Sequence, residues 1–118
     1  MSEGSPGREP AVAGVDRVDG GTVVRLAGEL DLYNAGDVRE ALLAACDEQP
    51  QRLVVDLAEV SFLDSTVLGV LVEARSRVTD KRIFMLAAPG TEARRALELS
   101  GLDRHFSMHD TVERALGS

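Results

Sequence analysis

Residues 52–78 read RLVVDLAEVSFLDSTVLGVLVEARSRV, and the way this stretch divides decides the fold. Leu53 to Leu57 is a short apolar, β-branched run broken only by Asp56, the pattern of a strand buried on both faces. Val60, Phe62 and Leu63 carry the apolar signal across a short link. Asp64, Ser65 and Thr66 then set three helix-capping residue types directly before a second apolar run. Apolar residues at 67, 68, 70, 71, 72, 74 and 78, against Glu73, Arg75, Ser76 and Arg77, predict a helix whose first two turns are almost wholly buried. Gly69 lies inside those turns at a cost of about 1 kcal/mol relative to alanine, so it is expected to let the helix pack closely on the sheet. The Ser65 hydroxyl therefore stands at a helix N-terminus on the strand-to-helix edge. Two roles are open to it. Asp64 or Ser65 caps the helix, worth about 1 kcal/mol, or Ser65 accepts a phosphate that the helix dipole and backbone amides can hold.

Upstream of this stretch, residues 1–10 (MSEGSPGREP) have the Gly- and Pro-rich polar composition of a disordered tail, and residues 11–118 read as one domain. Ala11 to Val18 and Thr22 to Leu32 are expected to pair as an antiparallel hairpin around Asp19-Gly20-Gly21. Val24, Leu26, Leu30 and Leu32 would share its inner face, Arg25, Glu29 and Asp31 the outer one, with Gly28 marking a bulge or a close approach of another backbone. Asn34 is placed as the N-cap of a helix ending near Glu48. Downstream, Arg82 to Ala87 reads as a strand, and Thr91 as the cap of a helix whose inner side is Ala93, Ala96, Leu97 and Leu99 and whose stop is Gly101. A short strand at 104–107 and a last helix capped by Asp110 follow. Strands alternating with helices after an initial hairpin give an α/β fold: a mixed sheet of four or five strands, with parallel right-handed crossovers and about four helices.

Composition excludes several classes of function. A net charge of −7 and an aromatic content of 3% argue against nucleic acid, whose backbone needs clustered cations and whose bases need stacking platforms. Cys46 is the single cysteine and cannot form an internal disulfide; its neighbours place it on an apolar helix face, as packing and not redox chemistry. No apolar run approaches the roughly 20 residues that span a bilayer, and no secretory leader is legible, so the expectation is a cytoplasmic protein without a membrane role.

Enzymatic constellations are weak throughout. His105 and His109 lie in HFSMH with no third ligand placed beside them, so neither a metal nor another cofactor is expected. Ser65 lacks the G-x-S-x-G elbow of a hydrolase nucleophile, and no glycine-rich loop joins a strand to a helix in the manner of a nucleotide site. Asp31, Asp56, Glu59 and Asp64 are no more than the carboxylates solubility requires.

Three motifs in order nevertheless carry a resemblance. Gly28-Glu29-Leu30-Asp31, Val60-Ser61-Phe62-Leu63-Asp64-Ser65-Thr66 and Leu97-Glu98-Leu99-Ser100-Gly101-Leu102 resemble the STAS domain family, and within it the bacterial anti-sigma-factor antagonists, over Val12 to Leu116. The resemblance implies a non-enzymatic switch, a monomer or weak dimer. It would bind an anti-sigma factor that is also a serine kinase, free a sigma factor, and be inactivated by phosphorylation at Ser65, with Thr66 as second choice. It also implies a partner-binding set of Glu29, Asp31, Asp64, Ser65, Thr66 and Val67. The chain departs from the family pattern at Val67, where glycine is usual. Valine there either packs inward with Val70, Leu71 and Ala74 or stands in the path of the incoming nucleotide. Other readings are a STAS subunit of a lipid-transport or stress-signalling assembly that is not phosphorylated, and a small hydrolase using Ser65.

Overall fold

Alternating Val, Leu and Ile along the predicted strands can be buried on two sides only if helices cover both faces of the sheet, and the computed structural model meets that condition unevenly. It describes residues 10–118; the tail expected at 1–10 lies outside them except for Pro10. In chain order the elements are β1 (Val12–Val18), β2 (Gly21–Leu30), α1 (Ala35–Asp47), β3 (Leu53–Leu63), α2 (Ser65–Arg77), β4 (Phe84–Ala87), α3 (Thr91–Ser100), β5 (Ser107–His109) and α4 (Val112–Leu116). The five strands lie side by side in sequence order, β1 antiparallel to β2 and every later pair parallel. The mixed sheet with its initial hairpin is thus the one expected, with all five strands present.

Val24, Leu26, Leu53, Val55, Leu57, Phe84 and Leu86 point to one face, where α1, α2 and α3 bury Val38, Leu42, Val67, Leu71, Ala74, Ala93 and Leu97 against them. This is the main core. Among the described residues the opposite face is covered only in part, by the five-residue α4, with Ala115 over Val23, Val54, Met85 and Ala87. The α1 and α2 helices are clasped on the outside by Arg39, whose guanidinium donates to both carboxylate oxygens of Glu73 at 2.8 and 2.6 Å. Glu73 is held below the usual carboxylate range by the Arg39 hydrogen bonds. Cys46 is buried in the main core, its Sγ donating to the Ala74 carbonyl; burial, then the neighbouring Asp47, push the thiol up, away from the reactive thiolate.

Local details depart from the sequence reading. β3 does not stop at Leu57; it runs on to Leu63 because β2 is long enough to pair with all of it, Leu30 opposite Leu63. Val60 to Leu63, expected as a link, is strand. The chain from Lys81 to Ile83 is a 3-10 turn, so β4 begins at Phe84, and the last strand sits at Ser107–His109 because Leu102–Arg104 forms a second 3-10 turn. Three caps move by a residue or change role: Asn34 makes no capping bond, Gly90 and not Thr91 precedes α3, and Thr111 and not Asp110 caps α4 by accepting from the Arg114 amide. Gly101 does stop α3, with a left-handed φ of 77°. Leu32 and Leu99 were expected inside and are 68% and 83% exposed. For Leu32 the cause is Gly28: its φ of 81° and the register break between Gly28 and Glu29 form a bulge, the first of the two readings of this glycine, the strand ends at Leu30, and the inward alternation ends with it. Gly69 faces solvent, and a Cβ built on it meets nothing within 4 Å, so close packing on the sheet is not its role.

Candidate functional site

The carboxyl ends of β2 and β3 carry every residue singled out around Ser65. Because these two strands overrun their neighbours, their last residues pair only with each other, Glu29 with Phe62 and Leu30 with Leu63. A further bond from the Asp64 amide to the Leu30 carbonyl, 3.1 Å, ties the start of the β3–α2 connection to the end of β2. The two loops are thereby held side by side.

At the β3–α2 junction Asp64 has extended backbone angles and its Oδ1 accepts from the Val67 amide at 3.1 Å. Asp64 is therefore the helix cap, and Ser65 is relieved of that duty. Ser65 is the first residue of α2 and is exposed, as is Thr66. Val67 and Leu68 turn directly into the core. Val67 is 0% exposed: the inward of its two possible orientations is the one found, and its side chain offers no surface at this edge. Ser65 thus sits exposed at a capped helix start, beside amides whose dipole favours an anion.

The facing loop is built by its own side chains. Asn34, expected as a helix cap, instead folds back: its Oδ1 accepts from the Asp31 amide at 2.9 Å and its Nδ2 donates to the Glu29 carbonyl at 2.8 Å. Asp31 Oδ1 accepts from the Tyr33 amide at 3.0 Å, an Asx turn. Asp31 is half-buried just past the end of β2, not on the outward face of the strand, and Glu29 is exposed.

Sequence reasoning missed the apolar part of this edge. Tyr33 is 87% exposed, Leu32 stands out from the same turn, and Phe62 at the end of β3 is 47% exposed. They form three of the five large exposed apolar side chains among the described residues, all at the end of the sheet that carries Ser65. The available signal was the turn chemistry of Asp31 and Asn34, which marks residues 31–34 as loop and leaves Leu32 and Tyr33 without a strand to bury them. Elsewhere the expected weak features stay apart. His105 lies against Arg75 and Phe106, His109 is in β5, and no cluster of three metal-ligating side chains exists among the described residues.

The family model described as the STAS domain matches residues 9–115, and the chain belongs to that family. Anti-sigma-F factor antagonist RsfB of Mycobacterium tuberculosis is 34% identical over 98 residues, covering 83% of this chain and 80% of that protein. The anti-sigma-B factor antagonist of Listeria monocytogenes is 40% identical over 81 residues, 65% of this chain and 68% of its own. Among solved structures, that of an anti-sigma factor antagonist from Mycobacterium paratuberculosis superposes with a TM-score of 0.81 at 34% identity, covering 87% of this chain and 88% of that one.

Proposed function

We propose that this STAS domain is an anti-sigma-factor antagonist. Unphosphorylated, it binds through its Ser65 edge an anti-sigma factor that is also a serine kinase, and phosphorylation of Ser65 ends that binding. The relatives' names support the class of activity. The observation that carries the switch is the division of labour at the start of α2: Asp64 caps the helix while Ser65 stands exposed at the next position. Leu32, Tyr33 and Phe62 supply the apolar contact, and Glu29, Asp31 and Asp64 an anionic fringe for basic groups of the partner. Thr66, exposed one residue on, is the second phosphoacceptor.

Incubation with ATP and serine kinases of the same genome, read by intact mass and peptide mapping, tests the proposal. A gain of one phosphate at Ser65 is the expected result. Phosphate at Thr66 alone would reassign the acceptor, and hydrolysis of ester substrates without any mass gain would overturn the reading.

Asp31 serves loop and interface together. Asp31→Ala removes the bond to the Tyr33 amide and should lower stability by roughly 0.5 to 1 kcal/mol, while weakening the partner complex beyond what that loss explains. Asp31→Asn keeps an acceptor oxygen for the turn but not the charge. A denaturant melt beside a binding isotherm separates the two roles: if the asparagine variant binds like the parent, Asp31 acts only by shaping the turn.

A further inference from the structure

The face of the sheet turned away from α1, α2 and α3 is only partly covered, because α4 is five residues long. Between α4 and the β1–β2 hairpin lies an open groove of about 650 Å³. Its floor is apolar, made by Val18, Val23, Ala58, Ala88, Val112 and Leu116, and Val18 is 45% exposed along it. Its rim carries five carboxylates, Asp16, Asp19, Asp56, Asp110 and Glu113, against one guanidinium, that of Arg25. Arg25 is already engaged by Asp16 at 2.8 Å, and Asp110 lies 4.0 Å from Arg94. Asp19, Asp56 and Glu113 have no ion-pair partner among the described residues; Asp56 Oδ1 accepts only the Ala58 amide, 3.0 Å.

We propose that this groove is a second docking surface, distinct from the Ser65 edge, and that its occupant is an amphipathic, Lys- or Arg-rich segment of another protein. The floor and rim select that chemistry jointly. Long basic side chains lay their methylene stems along apolar surface while the charged heads reach outward, which matches a floor of Val, Leu and Ala bordered by carboxylates. Nucleic acid and anionic lipid carry the sign the rim repels. A second copy of this chain carries the same net charge of −7 and is disfavoured for the same reason. Since the groove uses the far side of the sheet, occupancy there leaves the Ser65 edge free, and one molecule can hold two proteins at once.

The test is a titration of the full chain, labelled for NMR, with a synthetic peptide of alternating leucine and lysine, about a dozen residues long. The expected result is saturable amide shifts confined to residues 16–25, 56–58, 88 and 110–116, weakened roughly tenfold or more by the combined Asp19→Asn, Asp56→Asn and Glu113→Gln changes and by added salt. Asparagine at 56 keeps an oxygen for the Ala58 amide, so the variant retains that turn. Ser65→Asp should bind the peptide as the parent does, so failure at the Ser65 edge and failure here are separable. Equal binding of a leucine–glutamate peptide, shifts scattered over the other acidic surfaces, or unchanged affinity in the triple variant would each overturn the proposal.

Discussion

Ser65→Asp is expected to leave the domain folded, with its melting temperature unchanged or raised by a few degrees, and to weaken the proposed complex with an anti-sigma factor about a hundredfold. The two halves come from the same position. As the first residue of α2, an aspartate would lie at the positive end of the helix dipole, a location favourable by about 0.3 to 1 kcal/mol and already exposed, so nothing in the core is disturbed. At an interface the sign of the effect reverses. Basic groups of the partner meet the fringe of Glu29, Asp31 and Asp64; a partner carboxylate set against the Ser65 hydroxyl itself at ~6 Å, in a medium of effective dielectric near 20, would make a new charge there cost about 3 kcal/mol, which corresponds to roughly two decades in affinity. Phosphoserine, with nearly twice the charge and a larger head, should act more strongly in the same direction. Paired measurements of thermal melting and binding to the anti-sigma factor read both halves. Parent-like affinity in this variant would remove Ser65 from the switch, whatever its phosphorylation.

The order of elements was legible because the hydrophobic period changes cleanly, from 2 in the hairpin to 3.6 at residues 35 and 65, and because Gly101 and the cap at Asp64 punctuate helices where local chemistry alone decides. Errors appear where a residue's fate depends on a partner far off in sequence. β3 looked like a strand and a link because Ala58, Glu59 and Ser61 interrupt its apolar run; only pairing with the overlong β2 makes it continuous. The small core of Val23, Val54, Met85, Ala87 and Ala115 was missed because α4 is too short to show a helical period and four of the five lie one position out of phase with the main inward face. Gly69, whose lack of a side chain suggests close packing, instead falls outward on the 100° wheel of α2, next in sequence to buried Leu68 and Val70. The site divided in the same way. The cap at Asp64 was legible in its local chemistry, whereas the exposure of Leu32 came with the bulge at Gly28 that ends β2 at Leu30, and only the turn chemistry of Asp31 and Asn34 signalled it.

Val67→Gly is expected to destabilise the domain by about 2 to 3 kcal/mol and to leave the rate of Ser65 phosphorylation unchanged within about twofold. Valine at this position was open to two readings, packing inward or standing in the path of an incoming nucleotide. Its burial decides for the first. Val67 is 0% exposed and lies in the main core with Leu71 and Ala74, while only its backbone amide, bonded to Asp64 Oδ1, faces the site. Removing the side chain forfeits the transfer free energy of a fully buried valine, roughly 1.5 to 3 kcal/mol, and adds a few tenths for the poorer helix propensity of glycine. In a domain of this size that is a drop of the order of 10 °C in melting temperature. The hydroxyl of Ser65 and the capping bond depend on backbone geometry that either residue adopts, so the transfer step has no reason to change. Single-turnover phosphorylation by the cognate kinase, run well below the variant's melting point beside a denaturant melt, measures both quantities. A several-fold faster transfer in the glycine variant would mean that the kinase opens the first turn of α2 during the reaction, and that Val67 restrains phosphorylation by resisting that opening.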